Sequence, residues 1–310
     1  QINISEMFNV RNTYPTKAWN YVMRQGKAQF SEGGLAHDVI NAVKSNGLVP
    51  NSAFTGLQAL QNTHNHAEMV AVLKAMLNAY IKNPGKKLSK NWKPSIESVL
   101  DIYLGKRPES FKYEGKTYTP QSFLAMTKIN PDDYVTITSF THQPYYESFV
   151  LNIPDNFSNG SFYNVTLDEL VAATKNALKT GYTVELDCDV SEASFSSRYA
   201  VATIPEEVIK DKKSFTSKIL KEKSITAEYR QQEFENYTTT DDHLMHITGL
   251  AEDQNGNEYF RVKNSWGSNT KRVPNDGHVQ MSEAFFRLKT ISVMVHKDAL
   301  PKALRKKLGL

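Results

Sequence analysis

Val262-Lys263-Asn264-Ser265-Trp266-Gly267, with Asp242-His243 ahead of it, is the stretch on which the reading of this chain turns. His243 opens one apolar run, Leu244 to Leu250, and Asn264 follows another, Tyr259 to Val262. Both runs read as strands, so the histidine and the asparagine stand at strand ends that can meet. An Asn amide oxygen bound to one imidazole nitrogen fixes the tautomer and leaves the other nitrogen to exchange a proton with a nucleophile. Trp266 is placed to roof the pair against water.

The register of the hairpin tests this pairing. A tight two-residue turn at Asn255-Gly256 would set Asn264 opposite Ile247 and leave His243 four residues away, roughly 13 Å. Direct opposition of His243 and Asn264 needs the reversal centred between Asp253 and Gln254. The pairing therefore predicts a longer or bulged connection.

Farther out, the chain divides by pattern. Ser5 caps a predicted helix to about Tyr21, a second runs from about Leu35 to Ser45 before Gly47 and Pro50, and a third from about His66 to Ile81 before Asn83-Pro84-Gly85. Lys86 to Lys93 reads as a solvated connector. An amphipathic helix near Ile96 to Leu104, a turn at Glu114-Gly115 and a short helix opened by Thr119-Pro120 follow. Beyond residue 149 strands dominate, apart from a capping box at Thr166-Leu167-Asp168-Glu169 that opens a helix ending near Gly181. Tyr146 to Ile153 alternates weakly, and Tyr182, Val184, Leu186, Cys188 and Val190 share one strand face. Val279 to Phe286 and Ile291 to Val295 read as further strands.

The order of these blocks resembles that of the papain-like cysteine peptidases, which place the histidine and the asparagine downstream of a nucleophilic cysteine. Ser31-Glu32-Gly33-Gly34, the helix end Asn46-Gly47-Leu48-Val49-Pro50, Tyr182 to Val190 (YTVELDCDV) and Asn236 to His243 (NYTTTDDH) are similar to the bleomycin hydrolase and aminopeptidase C branch. The resemblance runs from about Ser5 to Leu310. It implies an α+β, papain-like cysteine peptidase fold. A helical lobe would span 1–80, incomplete at its N-terminus, and a helical insertion 81–149. An antiparallel β-barrel-like lobe over 150–310 would carry the histidine, the asparagine and a C-terminal helix. It further implies a cysteine-type aminopeptidase or oligopeptidase acting on peptides. His243 would be its acid/base, Asn264 the orienter and Trp266 the shield, with Gly33, Gly34 and Asp242 on the substrate side. No cofactor and no metal is implied. A hexamer and a cytoplasmic address carry over as expectations.

Two departures qualify the resemblance. The nucleophile is missing: Cys188, the one cysteine, alternates with Tyr182, Val184 and Leu186 in a strand, whereas a reactive thiolate needs a helix N-terminus and an adjacent imidazolium. Cys188 therefore reads as a buried structural residue. Gln1 is no oxyanion glutamine, since no cysteine follows it closely, so the nucleophile segment is expected upstream and the chain as it stands is expected to be inactive. The tail, Lys307-Leu308-Gly309-Leu310, lacks the longer ending of that branch, which weakens the case for aminopeptidase specificity. A noncatalytic peptide-binding relative of the same fold is the alternative.

The remaining features read more plainly. At 310 residues and 40% apolar content the chain can bury a large core, and no apolar run approaches a membrane span of roughly 20 residues. A net charge of +4 demands no nucleic-acid partner. The lone cysteine excludes an internal disulfide framework, and with a start at Gln1 rather than Met a periplasmic or exported address stays open. Gly33-Gly34 could be a plain turn or an edge where an extended substrate pairs. His64, His66 and Glu68 fall close together, but on a helix the two histidines would point about 200° apart, so a helix start is the simpler reading. His246 falls on the other strand face and reads as structural. Lys302 to Leu310, after Pro301, reads as a basic helix with a solvated face.

Overall fold

The computed structural model describes residues 2–58, 61–82, 85, 87–207, 219–268 and 273–310. The chain forms two compact units: Gln1–Pro131 with Asn152–Gly160, and Asp132–Leu151 with Ser161–Leu310. Residues 81–131 thus belong to the first unit. Gln1, Asn83, Pro84 and Lys86 lie outside the described residues.

The first unit is helical, and its helices start and stop where local chemistry dictates. Helix α1 (Glu6–Met23) opens on Ser5, whose hydroxyl accepts from the Phe8 amide. Helix α2 (Ala36–Asn46) ends at Gly47, where φ is +79° and a Cβ would meet the Pro120 backbone at 2.3 Å. Met69, Leu73 and Leu77 of α3 (Ala67–Ile81) form an i, i+4 stripe, as do Ile96, Leu100 and Leu104 of α4 (Trp92–Leu104), and both stripes pack on Phe8, Tyr14, Ala18 and Tyr21 of α1. Helix α4 begins four residues earlier than its periodicity suggests because Trp92 is itself a buried core residue. The Glu114-Gly115 turn joins β1 (Phe111–Tyr113) to β2 (Lys116–Tyr118), and Thr119 caps α5 (Pro120–Thr127).

The second unit is one open sheet with helices packed against it. In chain order its elements are β3 (Tyr134–Thr138), β4 (Ser148–Val150), β5 (Ser161–Asn164), α6 (Leu167–Lys179), β6 (Val184–Cys188), β7 (Phe195–Ser196), β8 (Val201–Ala202) and α7 (Ala227–Glu235). Then come β9 (His243–Glu252), β10 (Glu258–Lys263), β11 (His278–Ser282), α8 (Glu283–Lys289), β12 (Thr290–His296) and α9 (Lys302–Leu308). The strand order is β4-β5-β3-β12-β6-β9-β10-β11-β8-β7, antiparallel except for β3 with β5 and β8 with β11. The sheet does not close into a barrel. Paired residues such as Ile137, Val293, Leu186 and Met245 share a face, and α6 covers that face with Leu170, Ala173 and Ala177.

Two expected strands are shorter. Val279 to Phe286 stops being a strand at Ser282, whose hydroxyl accepts from the Phe285 amide and starts α8. Adjacent Phe285 and Phe286 are both buried, which a two-sided strand with one solvated face cannot arrange. Of Tyr146 to Ile153, Ser148–Val150 forms the strand, at the sheet edge, and Tyr146 and Glu147 add backbone bonds to Asn164.

Glu185 of β6 lies between His246 and Met294 of the adjoining strands. Part of its side chain reaches solvent, but Oε1 is buried without a hydrogen bond among the described residues. Burial pushes its carboxyl from 4.5 up to about 8, against a weaker opposing bond from the Met294 backbone. Folded Glu185 keeps its proton to about pH 8 while the unfolded chain releases it near 4.5, so its contribution is present at low pH and lost as pH rises through 8. Glu185→Gln should match the parent at about pH 4 and exceed it at about pH 9 by on the order of a few kcal/mol in urea unfolding. Superimposable stability at both pH values would refute the assignment.

Candidate active site

Strand β9 has to serve two neighbours, and the geometry of the site follows from how it does so. On one side it pairs with β6 without a shift, from Val184↔Ile247 to Cys188↔His243. On the other side Arg261 pairs with Gly249 but Val262 pairs with Ile247, leaving Thr248 as a β-bulge. The connection is also long: the Asp253 amide donates to the Asn257 carbonyl and the Gly256 amide to the Asp253 carbonyl, each at 3.0 Å. Both features match the expectation of a longer or bulged hairpin. Direct opposition is not reached, however. Continued past Lys263↔His246, the register sets Asn264 beside Met245, so His243 is its diagonal neighbour on the same face.

Two long polar side chains close that diagonal. His243 Nε2 lies 3.0 Å from Asn264 Oδ1. An amide oxygen only accepts, so Nε2 carries the proton in this bond and Nδ1 is the ring nitrogen left open. Asn264 is buried, its backbone N–H donates to the Gly277 carbonyl at 3.0 Å, and its Oδ1 also accepts from the Ser265 backbone N–H at 2.7 Å. Trp266 covers the imidazole with ring centroids 5.3 Å apart, while remaining 50% exposed itself. Asp242 accepts from the Val190 amide at 3.1 Å through Oδ2, tying the start of β9 to the end of β6.

Cys188 is directly across the ladder from His243 and shares its face, yet it is fully buried. Burial pushes its thiol well up, and Asp187, Asp189, Asp242 and Glu185 push it further. His246, on the opposite face of β9, is exposed.

Gly33 and Gly34 belong to the first unit. Lys17 Nζ holds the carbonyls of Ser31 and Gly33, and its ammonium stands 5.0 Å over the Phe157 ring. A Cβ on Gly33 would lie 2.0 Å from Asp155 Oδ2, whose partner oxygen accepts from Gln29 at 2.6 Å. A Cβ on Gly34 would meet nothing closer than 3.5 Å, and the Gly34 backbone makes no hydrogen bond to the described residues. Asp155 lies far along the chain from Gly33, and no local pattern announces it.

The other candidates resolve into packing. His64 Nε2 bonds the Thr55 carbonyl at 2.9 Å, Glu68 accepts from Tyr103 at 2.5 Å, and Asn65 Oδ1 accepts from the Ala67 amide at the start of α3. Among the described residues no group of three metal-ligating side chains is brought together. Helix α9 buries Leu304 and Leu308 and pairs Lys307 with Glu169 and Arg305 with Asp298. Among the described residues no helix is long and apolar enough to cross a membrane.

Comparison with known proteins adds to this geometry. Residues 22–309 match the model of the Peptidase C1-like family. Aminopeptidase C of Listeria monocytogenes is 24% identical over 299 residues, 88% of this chain and 64% of that protein. Aminopeptidase G of Lactobacillus delbrueckii subsp. lactis is 26% identical over 294 residues, 87% of this chain and 64% of that protein. The chain thus spans about 64% of the length of the curated relatives it matches. The crystal structure of PepW from Lactobacillus rhamnosis HN001 superposes over 100% of this chain and 76% of its own, with a TM-score of 0.74 at 18% identity, and shows the same fold.

The glycine pair separates by substitution. Gly33→Ala pushes the Asp155 carboxylate off its bond with Gln29 and should cost about 1 kcal/mol of stability, whereas Gly34→Ala finds ordinary contact and should cost about half of that or less. Thermal unfolding of the two variants checks the order, and equal losses would contradict it.

Proposed function

Since this chain belongs to the Peptidase C1-like family, in the aminopeptidase C branch with a papain-like fold, we propose that it carries the acid/base half of a cysteine aminopeptidase. The observation that carries the reading is the 3.0 Å bond from His243 Nε2 to Asn264 Oδ1 under the Trp266 ring. It is the arrangement that holds an imidazole in one tautomer with Nδ1 free for a thiol. His243 takes the proton of the attacking thiol at Nδ1, and the resulting imidazolium returns it to the departing amine of the peptide. The thiolate forms a thioester with the peptide carbonyl carbon as the C–N bond breaks, and water then releases the acid. Asn264 supports the imidazolium through Nε2–H. Trp266 keeps water from that bond.

The thiol is proposed to come from sequence outside these 310 residues, because Cys188 is buried among carboxylates and holds its proton. Gly34, with a free backbone N–H and C=O, is proposed to pair with an extended peptide.

The reading frame upstream of Gln1, with intact mass, tests the first half of this proposal: Gln, Gly, Cys and Trp encoded shortly before it support an enzyme, and a frame without the cysteine sinks it in favour of a peptide-binding relative. The protein expressed with that segment should release N-terminal residues from short peptides and be silenced by thiol alkylation. His243→Ala should lower the rate about 10²–10⁴-fold, while Cys188→Ala leaves it unchanged. The 310-residue chain alone should form no thioester. Loss of turnover in a folded Cys188→Ala protein would reassign the nucleophile.

A further inference from the structure

A buried lysine and a buried aspartate stand beside the dyad without entering that chemistry. Lys289, at the end of α8, is 0% exposed and Asp189, one residue past β6, is 1% exposed. Asp189 Oδ1 accepts from the amide and hydroxyl of Ser191 at 2.7 and 2.5 Å, and Oδ2 accepts from the Thr240 amide at 2.8 Å. Lys289 Nζ donates to the Thr238 carbonyl at 2.7 Å, pairs with Glu192 at 2.6 Å and lies 4.0 Å from Asp189 Oδ2. The Asp189 amide donates in turn to the Lys289 carbonyl at 3.0 Å. With Asp242 held by the Val190 amide, every second residue from Thr238 to Asp242 is tied down immediately before His243.

The need for such ties is visible in the ladder. Pairing of β10 with β9 ends at Lys263↔His246, so His243 and Leu244 are held by backbone pairing only from the β6 side. A strand end laddered on one side can pivot, and a pivot there would swing the imidazole away from Asn264. Two buried charges are an expensive way to anchor a loop, and their attested use is to fix one geometry where apolar packing would allow several.

We propose that Asp189 and Lys289 are positioning residues for His243, clamping Thr238–Asp242 so that β9 begins with Nε2 directed at Asn264 Oδ1. The proposal rests on the dyad reading above. It concerns where the histidine is held, not the reacting atoms.

The test needs no nucleophile and uses the 310-residue chain. Nitrogen-15 spectra of the imidazole, identified by its loss in His243→Ala, report the tautomer, and hydrogen exchange reports the Thr240 amide. The parent should show the Nε2–H tautomer and a protected Thr240 amide. Asp189→Asn with Lys289→Met removes both buried charges together, leaving Glu192 to turn to solvent, so that no unpaired buried ion remains to unfold the chain. In this double variant Thr240 exchange should quicken by about tenfold or more and His243 should become a mixture of tautomers. Ser191→Ala, which touches the same carboxylate through its other oxygen, should leave both readouts as in the parent. Should the double variant not fold, Asp189→Asn alone carries the same two readouts with smaller expected changes. An unaltered His243 tautomer in a folded variant overturns the clamp. A parent chain whose His243 is not protonated at Nε2 defeats the dyad reading instead, and Thr240 exchange then decides the clamp by itself.

Discussion

A regular ladder through this sequence could not bring His243 to Asn264. Side chains alternate along a strand, so continuing the Arg261↔Gly249 register would set Asn264 beside His246 and leave His243 on the opposite face. The unpaired Thr248 moves the phase by one and returns Ile247, Met245 and His243 to the face that Val262 and Asn264 occupy. Its position is constrained as well. Ile247 is the last β9 residue paired with β6, so the bulge falls just where β9 has only β10 to satisfy, and the β6 register is undisturbed. The site depends on one strand keeping strict phase with one neighbour and slipping against the other.

The same ladder accounts for the chemistry of β6. Val184, Leu186 and Cys188 face the core under α6, while Glu185 and Asp187 alternate with them on the reverse face and Asp189 follows. A thiol in that setting is both desolvated and surrounded by carboxylates, and each effect favours the protonated form. The thiol is thus held toward its protonated form despite its place opposite His243 in the ladder. The carboxylates have structural employment instead: Asp189 receives four donors, two from Ser191 and two from Thr240, and burial between strands pushes the Glu185 carboxyl up to about 8.

What the sequence discloses depends on whether the signal is local. Ser5, Gly47, Thr119 and Thr166 mark helix ends because a cap is an interaction between near neighbours, and each mark is found in place. Strand β3 gives no period-two signal because Thr136 and Thr138 are buried along with Ile137, and α7 gives no apolar stripe because the residues it buries are Arg230 and Gln231. His243 and Asn264 were legible as a pair through their neighbours in the chain. The contact of Asp155 with Gly33 and the ties from Lys289 to Thr238 were not, since they join distant segments through side chains whose types are ordinary at a surface.

The orientation of Asn264 carries one more consequence. Its Oδ1 takes two donors, the Ser265 amide at 2.7 Å and the imidazole at 3.0 Å. Turning the amide over would place an NH₂ group against the Ser265 N–H, donor facing donor, so the backbone itself decides which end of the amide meets the ring. Because that end can only accept, the Nε2–H tautomer of His243 is favoured wherever β9 holds the ring against Asn264. No thiol, substrate or solvent need be present to select it. Nδ1 is thus left open before any other group arrives, which is the preorganisation that the proposed proton transfer would use.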